Sequence, residues 1–347
     1  MTVASALACS YHLNQGAIRS MRSMQGNPDS VTAEDIRHAY RLLLGREPDP
    51  AGYANHTKAA IGRLRPTDFA RSIMASDEYR SKHAHSEMLP VDLGDYSLYV
   101  SAHDNDVSAE ISQRRAYEPY VEKMLRSVTR KGDTFVDIGA NIGYFTALAA
   151  HLVGAEGRVI AWEPLDKNVQ LIYATVWENG FGNVTVYPFA ASSEVRLVPM
   201  ISSPLSSNAG IRRGEIGSQR TRVIAQSQRL DDQLAHLDRL DVIKFDIEGH
   251  EIHAWRGAER LLSRHRPHVL TEFHPRCIRS NTDIEPVDYL RVLFDYAPRV
   301  EVLHRNRNNV VCATPDEIMR EWQCADEEFA MDGGMHIDLY INPGSRT

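Results

Sequence analysis

The chain has 347 residues, 43% of them hydrophobic and 24% charged, the proportions of a soluble globular protein able to bury a full core. A formal net charge of −7 provides no basic field, which argues against nucleic acid as a partner. No run approaches the roughly 18 apolar residues of a membrane span.

In chain order, Met1 to Ser30 is polar and reads as a loose tail. Residues 31–86 read as a small helical domain. Thr32 caps a first helix with Asp35 near the capping-box position, and Ile36, Tyr40, Leu43 and Leu44 form its apolar stripe. Gly45 ends it, Asp49-Pro50 starts a second helix, and a third runs from about Pro66 to Arg80. Residues 87–347 read as the main domain. Leu89 to Val107 alternates apolar and polar residues as a hairpin does, and Tyr117-Glu-Pro-Tyr120 opens a helix.

From Gly132 onward the pattern becomes strand–helix alternation. Strands are expected at Thr134–Ile138, Arg158–Glu163, Val184–Pro188, Val242–Asp246 and His268–Phe273, with late strands at Arg299–Leu303 and His336–Ile341. Helices are expected at Tyr144–Leu152, Leu165–Glu178, Glu251–Leu262 and Pro286–Phe294. Continuous apolar strands separated by helices predict an α/β, Rossmann-like, mostly parallel sheet covered on both faces. Ser192 to Val223 interrupts the alternation and reads as extra strands or a flap over the carboxyl edge of the sheet. The basic pairs Arg212-Arg213 and Arg264-His265-Arg266 read as solvated faces. Cys9, Cys277, Cys312 and Cys324 form no Cys-x-x-Cys pair, and Met1 to Ser10 lacks a basic leader. Both features suggest free thiols and a cytoplasmic location.

The run Phe135-Val-Asp-Ile-Gly-Ala-Asn-Ile-Gly-Tyr-Phe-Thr146 is a strand, a small-residue turn and a helix. Such a turn lets backbone N–H groups approach a ligand without Cβ interference. About twenty residues later a second strand delivers Glu163, an acid suited to a ribose diol. A dinucleotide turn requires glycine where this one has Asn141, which disfavours an NAD-dependent oxidoreductase. There is no phosphate-binding loop ending in Gly-Lys-Ser/Thr either. A ligand with a ribose and an amino-acid tail but no phosphate fits better, which points to S-adenosylmethionine.

Gly132 to Thr146 resembles the first motif of the FkbM family of S-adenosylmethionine-dependent methyltransferases. Trp162-Glu-Pro164 with Asn168, Leu230-Asp231, and Ile243-Lys-Phe-Asp-Ile-Glu-Gly-His-Glu251 are similar to the same family in the same order, as is Tyr117-Glu-Pro119. The resemblance covers roughly Leu89 to His274. It implies a class I methyltransferase fold and O-methylation of a hydroxyl on a sugar, glycan or natural product. The expected cofactor contacts are Asp137, Gly139, Asn141, Gly143, Tyr144, Glu163, Ala190 and Asp246. Leu43 to Gly52 with Ser76-Asp-Glu-Tyr79 resembles a small bacterial helical domain of undetermined function, which suggests docking or oligomerisation. A non-catalytic scaffold built on the same fold is the rival reading.

Methyl transfer to a hydroxyl requires removal of a proton, so a base or a metal belongs at the carboxyl ends of the central strands. The expected catalytic residues are Asp246, His250, His274 and Lys244, with Asp246 or His250 as the base and His274 in competition. Imidazole titrates near working pH, whereas a carboxylate needs desolvation to become an effective base. A structural ion pair between Lys244 and Glu251 is the plainer account of those two residues. Asp246, Glu272 and His274 are the alternative as ligands for magnesium or manganese, a metal that is not the favoured expectation. Ser192 to Val223, with Asn208, Arg212 and Arg213, and Leu89 to Val107 are expected to wall the pocket of a hydroxyl-rich or anionic acceptor.

Overall fold

A computed structural model of the chain describes residues 30–79, 88–203, 205–211 and 223–344. The expected N-terminal tail up to residue 29, Cys9, Arg80 and Arg212-Arg213 lie outside the described residues. The chain divides into two compact units, Met1–His83 and Ala84–Thr347.

In the first unit, α1 (Ala33–Ala39) begins with a capping box. The Thr32 Oγ1 accepts from the Asp35 amide at 3.2 Å, and the Asp35 carboxylate accepts from the Thr32 amide at 2.8 Å. Two otherwise orphaned donors are thereby satisfied. The helix widens into a π turn over Tyr40–Leu44 and stops at Gly45, whose φ is 61°. Helix α2 (Pro50–Ala60) is capped by Asp49, and α3 (Pro66–Met74) follows. Val31, Ile36, Tyr40, Leu44, Ala60, Phe69 and Ile73 form the unit's core.

The second unit opens with the antiparallel hairpin β1 (Met88–Asp92) and β2 (Ser97–Ser101). The expected hairpin reached Val107, but that residue instead starts α4 (Val107–Arg114), followed by α5 (Pro119–Val128). The main sheet starts with β3 (Thr134–Ile138), α6 (Tyr144–Val153), β4 (Arg158–Trp162), α7 (Asp166–Asn179) and β5 (Val184–Tyr187). A smaller four-stranded sheet of β6 (Ala190–Ala191), β7 (Leu197–Ser202), β8 (Ala209–Ile211) and β9 (Val223–Gln228) occupies the interrupted region. A short helix α8 (Leu230–Gln233) returns the chain to β10 (Val242–Phe245).

Where one helix was expected after β10 there are two, α9 (Glu251–Arg256) and α10 (Glu259–His265). They break at Gly257, where a Cβ would meet the Ser192 carbonyl oxygen at 2.2 Å. Then come β11 (His268–Phe273), α11 (Pro275–Asn281), α12 (Pro286–Tyr296), β12 (Val300–Leu303), β13 (Val310–Cys312), α13 (Pro315–Glu328) and β14 (Ile337–Ile341). Among the described residues Cys277, Cys312 and Cys324 form no disulfide, and no helix is long and apolar enough to cross a membrane.

The eight strands of the main sheet lie in the order β5-β4-β3-β10-β11-β14-β12-β13. Strands β5, β4, β3, β10 and β11 are mutually parallel, and β14 runs antiparallel to both β11 and β12. This is the expected Rossmann-like, mostly parallel sheet, with β14 and the edge strand β13 inverted. The chain leaves β3 toward β5 and returns on the other side at β10, so a crevice opens where the direction of winding changes. The inner strands are the most enclosed, with every residue of β3, β10 and β14 buried.

Gly139, immediately after β3, has φ 83°, and a Cβ there would lie 1.9 Å from the Asp246 carbonyl oxygen. Gly139→Ala therefore combines a backbone conformation that costs about 1–3 kcal/mol with a clash against fixed main chain. We expect its urea midpoint to fall by the equivalent of at least ~2 kcal/mol. A midpoint equal to that of the unmodified protein would show that the two strand ends do not need this close approach.

Candidate active site

The carboxyl ends of β3, β4, β10 and β11 open into a cleft of about 250 Å³. The turn after β3 forms one wall. Asn141 and Gly143 follow Gly139 in left-handed conformations, with φ 51° and 92°, and Gly143 caps α6. The Gly139 and Ala140 amides donate to the Trp162 carbonyl at 2.9 and 3.1 Å, which ties the turn to the end of β4.

Glu163 follows directly. Its Oε2 accepts from the Asn141 amide at 2.9 Å, and its Oε1 accepts from the Leu165 amide at 2.9 Å and from Asn168 Nδ2 at 3.3 Å. Burial pushes this carboxyl up to about 7, against the lowering effect of those three donors. Asn141 Oδ1 accepts from the Ile142 amide at 2.8 Å, and its Nδ2 donates to Asn208 Oδ1 at 2.8 Å. The side chain that replaces a dinucleotide glycine thus clamps the 205–211 segment over the turn. Asn168 Nδ2 donates to the Ser207 carbonyl at 2.9 Å, and Lys167 Nζ to the Ser203 carbonyl at 2.7 Å and to that of Ser206. Phe189, Ala190, Ala191, Met200 and Ile211 add an apolar wall.

Of the expected cofactor contacts, Gly139, Asn141, Tyr144, Glu163, Ala190 and Asp246 line the cleft. Asp137 lies beneath it, fully buried, accepting from Thr146 Oγ1 at 2.6 Å. Gly143 shapes the turn without lining the cleft.

Of the expected catalytic residues, Lys244, Asp246 and His274 line the cleft together with Glu272. Lys244 is 3% exposed, and its Nζ lies 2.6 Å from Asp246 Oδ2 and 4.7 Å from the centre of the Phe145 ring. Burial acts to lower its pKa, but Asp246, Asp137 and Glu118 outweigh that and hold the ammonium above its usual range. The expected Lys244–Glu251 pair is therefore replaced by Lys244–Asp246. Glu251 Oε1 instead accepts from the Ile247 and Gly249 amides at 2.9 and 3.0 Å, closing the loop after β10.

His250 does not line the cleft. The left-handed residues Glu248 and Gly249 turn the chain, leaving its Nε2 3.2 Å from Ser192 Oγ and its ring stacked on His253. Burial, then His253 and Arg196, lower its pKa to about 3, so it stays neutral and packed inside.

The grouping with metal-ligand spacing among the described residues is Glu118, His336 and Asp338, not Asp246, Glu272 and His274. Glu118 precedes α5 with φ 43°, a strained value for a glutamate. Burial, with Asp338 and Asp246 adding, pushes its carboxyl well up. Glu272 is raised by burial and by Asp246, and Asp338 by burial. Glu118 falls inside the motif Tyr117-Glu-Pro119, so a pointer to it existed. His336 and Asp338 were legible only as alternate polar residues in an otherwise apolar strand.

Residues 137–293, the segment that contributes the turn, Glu163, Asp246 and Glu272, match the family model described as methyltransferase FkbM domain. That segment is thus similar to an FkbM methyltransferase domain. Similar solved structures include the methyltransferase FkbM of Methylobacillus flagellatus, 17% identical over 63% of this chain and 50% of that one, with a TM-score of 0.38. The present chain thus spans half the length of that relative. Aeropyrum pernix fibrillarin with natively bound S-adenosylmethionine is 13% identical over 64% of this chain and 73% of its own, with a TM-score of 0.37. An S-adenosylmethionine-dependent O-methyltransferase of Thermotoga maritima is 13% identical over 69% and 71%, with a TM-score of 0.34. No curated protein matches. The matched segment runs from the end of β3 into α12 and so holds the central parallel strands β4, β5, β10 and β11.

The buried Glu163 ties the stability of this unit to pH. Its folded-state pKa of about 7 lies above the ordinary glutamate value, so the folded state holds this proton more tightly than the unfolded chain. That stabilisation is complete below about pH 4.3 and is lost as pH rises through about 7. Glu251, also raised to about 7 by burial, contributes with the same sign. We expect melting temperatures followed by circular dichroism to decline from pH 5 to pH 8, and Glu163→Gln to reduce the decline. An unchanged decline in that variant would refute the assignment.

Proposed function

We propose that this protein transfers a methyl group from S-adenosylmethionine to a hydroxyl of a sugar, glycan or natural product. The observation that carries the reading is the joining of the β3 turn to the Glu163 carboxylate through the Asn141 amide, at the mouth of a cleft that also holds Asp246, Glu272 and His274. The residues present fit the cofactor. Glu163 has acceptor capacity left for a ribose diol, and the Phe189–Met200 wall offers an apolar surface to an adenine. When bound, S-adenosylmethionine supplies the sulfonium-borne methyl.

The chain's own residues then have two tasks. Asp246, fixed by Lys244, and His274 are the groups placed to receive the hydroxyl proton, and the tied-down 205–211 segment helps keep water out. With Glu118, Asp246, Glu248 and Glu272 against Lys244, the lining disfavours an anionic acceptor and suits a neutral, hydroxyl-rich one. The N-terminal helical unit, with its own small core, serves in this reading as a docking or oligomerisation module.

Isothermal titration should show one S-adenosylmethionine per chain. Glu163→Ala should weaken binding by at least tenfold, about 1.4 kcal/mol for one lost charged hydrogen-bond acceptor. With labelled methyl donor and a panel of glycans and small metabolites, Asp246→Ala should lower turnover by about 10²-fold or more, the usual worth of a proton-transfer group. Cooperatively folded protein that takes up no S-adenosylmethionine would favour the scaffold reading, and full turnover in Asp246→Ala would remove that residue from the chemistry.

A further inference from the structure

One group of charged residues at the cleft is not used by the cofactor turn or by the Lys244–Asp246 pair. Glu118, His336 and Asp338 each offer one ligand atom, and these atoms lie within 4.8 Å of one another. Glu118 and His336 line the cleft, and Asp338 stands behind His336 in a small adjoining cavity with Tyr120 and Arg305. Glu272 faces Asp338 across the β11–β14 pairing. It is 7% exposed, its Oε1 lies 3.6 Å from His336 Nδ1, and its Oε2 is buried without a hydrogen-bond partner. Glu118 Oε2 is likewise buried and unpartnered.

The charges do not balance. Lys244 is committed to Asp246 at 2.6 Å. The remaining strong cation is Arg305, whose Nη2 lies 2.6 Å from His336 Nε2. Tyr120 donates a neutral hydrogen bond to Asp338 Oδ2 at 2.9 Å. Three carboxyl groups, Glu118, Glu272 and Asp338, thus face one guanidinium in a largely buried space, and their ionised forms have too little counter-charge there. Buried carboxylate oxygens without partners are costly, and a divalent cation would satisfy both the charge and the open lone pairs.

We propose that Glu118, Glu272, His336 and Asp338 bind a divalent cation of the magnesium–manganese class at the end of the cleft away from Glu163. Oxygen-dominated ligation with one imidazole and no thiolate suits these hard ions, with manganese held more tightly than magnesium. Binding of the ion does not depend on the methyltransferase reading. Its use does, because positions left open on the ion would hold hydroxyl oxygens of the acceptor. Arg305 opposes the ion by occupying His336 Nε2 and by adding like charge.

The test is titration of manganese(II) into the full-length protein, followed by loss of the free-ion electron paramagnetic resonance spectrum. One saturable site per chain is expected, weakened at least tenfold in Glu118→Gln and in Asp338→Asn and tightened in Arg305→Gln. Each variant is first shown to melt cooperatively, and if Asp338→Asn fails to fold, Glu118→Gln decides. Absence of saturable binding, or binding unaffected by the carboxylate substitutions, overturns the proposal. A parallel S-adenosylmethionine titration in EDTA separates the two readings. Cofactor binding without manganese binding removes the metal site alone, whereas manganese binding without cofactor binding leaves the metal site and removes the methyltransferase reading.

Discussion

The site depends on the close approach of two strand ends. The turn after β3 passes so near the main chain at Asp246 that only a residue without Cβ fits at position 139. The amide of Asp246 in turn donates to the Ile138 carbonyl at 2.9 Å, so the two strands remain paired to their last residue. That approach sets Glu163 and Asp246, which lie far apart in the chain, on one cleft. A looser junction would separate the cofactor wall from the strand-end carboxylates, and positioning errors of that kind are expensive for catalysis.

Around this junction the electrostatics are organised by one buried cation. Lys244 stands beneath Asp246, close to Asp137 and Glu118, and its ammonium is the local counter-charge for all three. Removing either partner of such a buried pair leaves an uncompensated charge, which is why the pair holds Asp246 in place. Glu272 and Asp338 lie further along the cleft, and burial, with Asp246 adding, raises the proton affinity of Glu118, Glu272 and Asp338. The cleft therefore has one end built from backbone amides and a single glutamate, and another dominated by carboxyl groups.

Much of the frame was legible in the sequence because it follows from local rules. The limits of β3 and β11 matched the apolar runs, and the Thr32 capping box was readable from residue types three apart. The misreadings arose where a distant segment intervened. Gly257 splits the helix after β10 because the Ser192 carbonyl packs against it, a contact across 65 positions that no local periodicity records. His250 looked catalytic by its place after a central strand, yet two left-handed residues turn it onto Ser192. Lys244 chose Asp246 over Glu251 because the latter's carboxylate closes its own loop.

The sequence by itself determined the sheet's alternation, the small-residue turn with its acid on the next strand, and the carboxylates at the ends of β10 and β11. These depend on side-chain period, glycine conformation and short spacings, all of which are local properties. Only the tertiary structure decided which carboxylates share a space. Glu118 comes from the start of α5 and Asp338 from β14, more than two hundred positions later, and they meet because β14 inserts antiparallel beside β11. Convergence of that kind is set by strand order and register, and neither is encoded in any one stretch of residues.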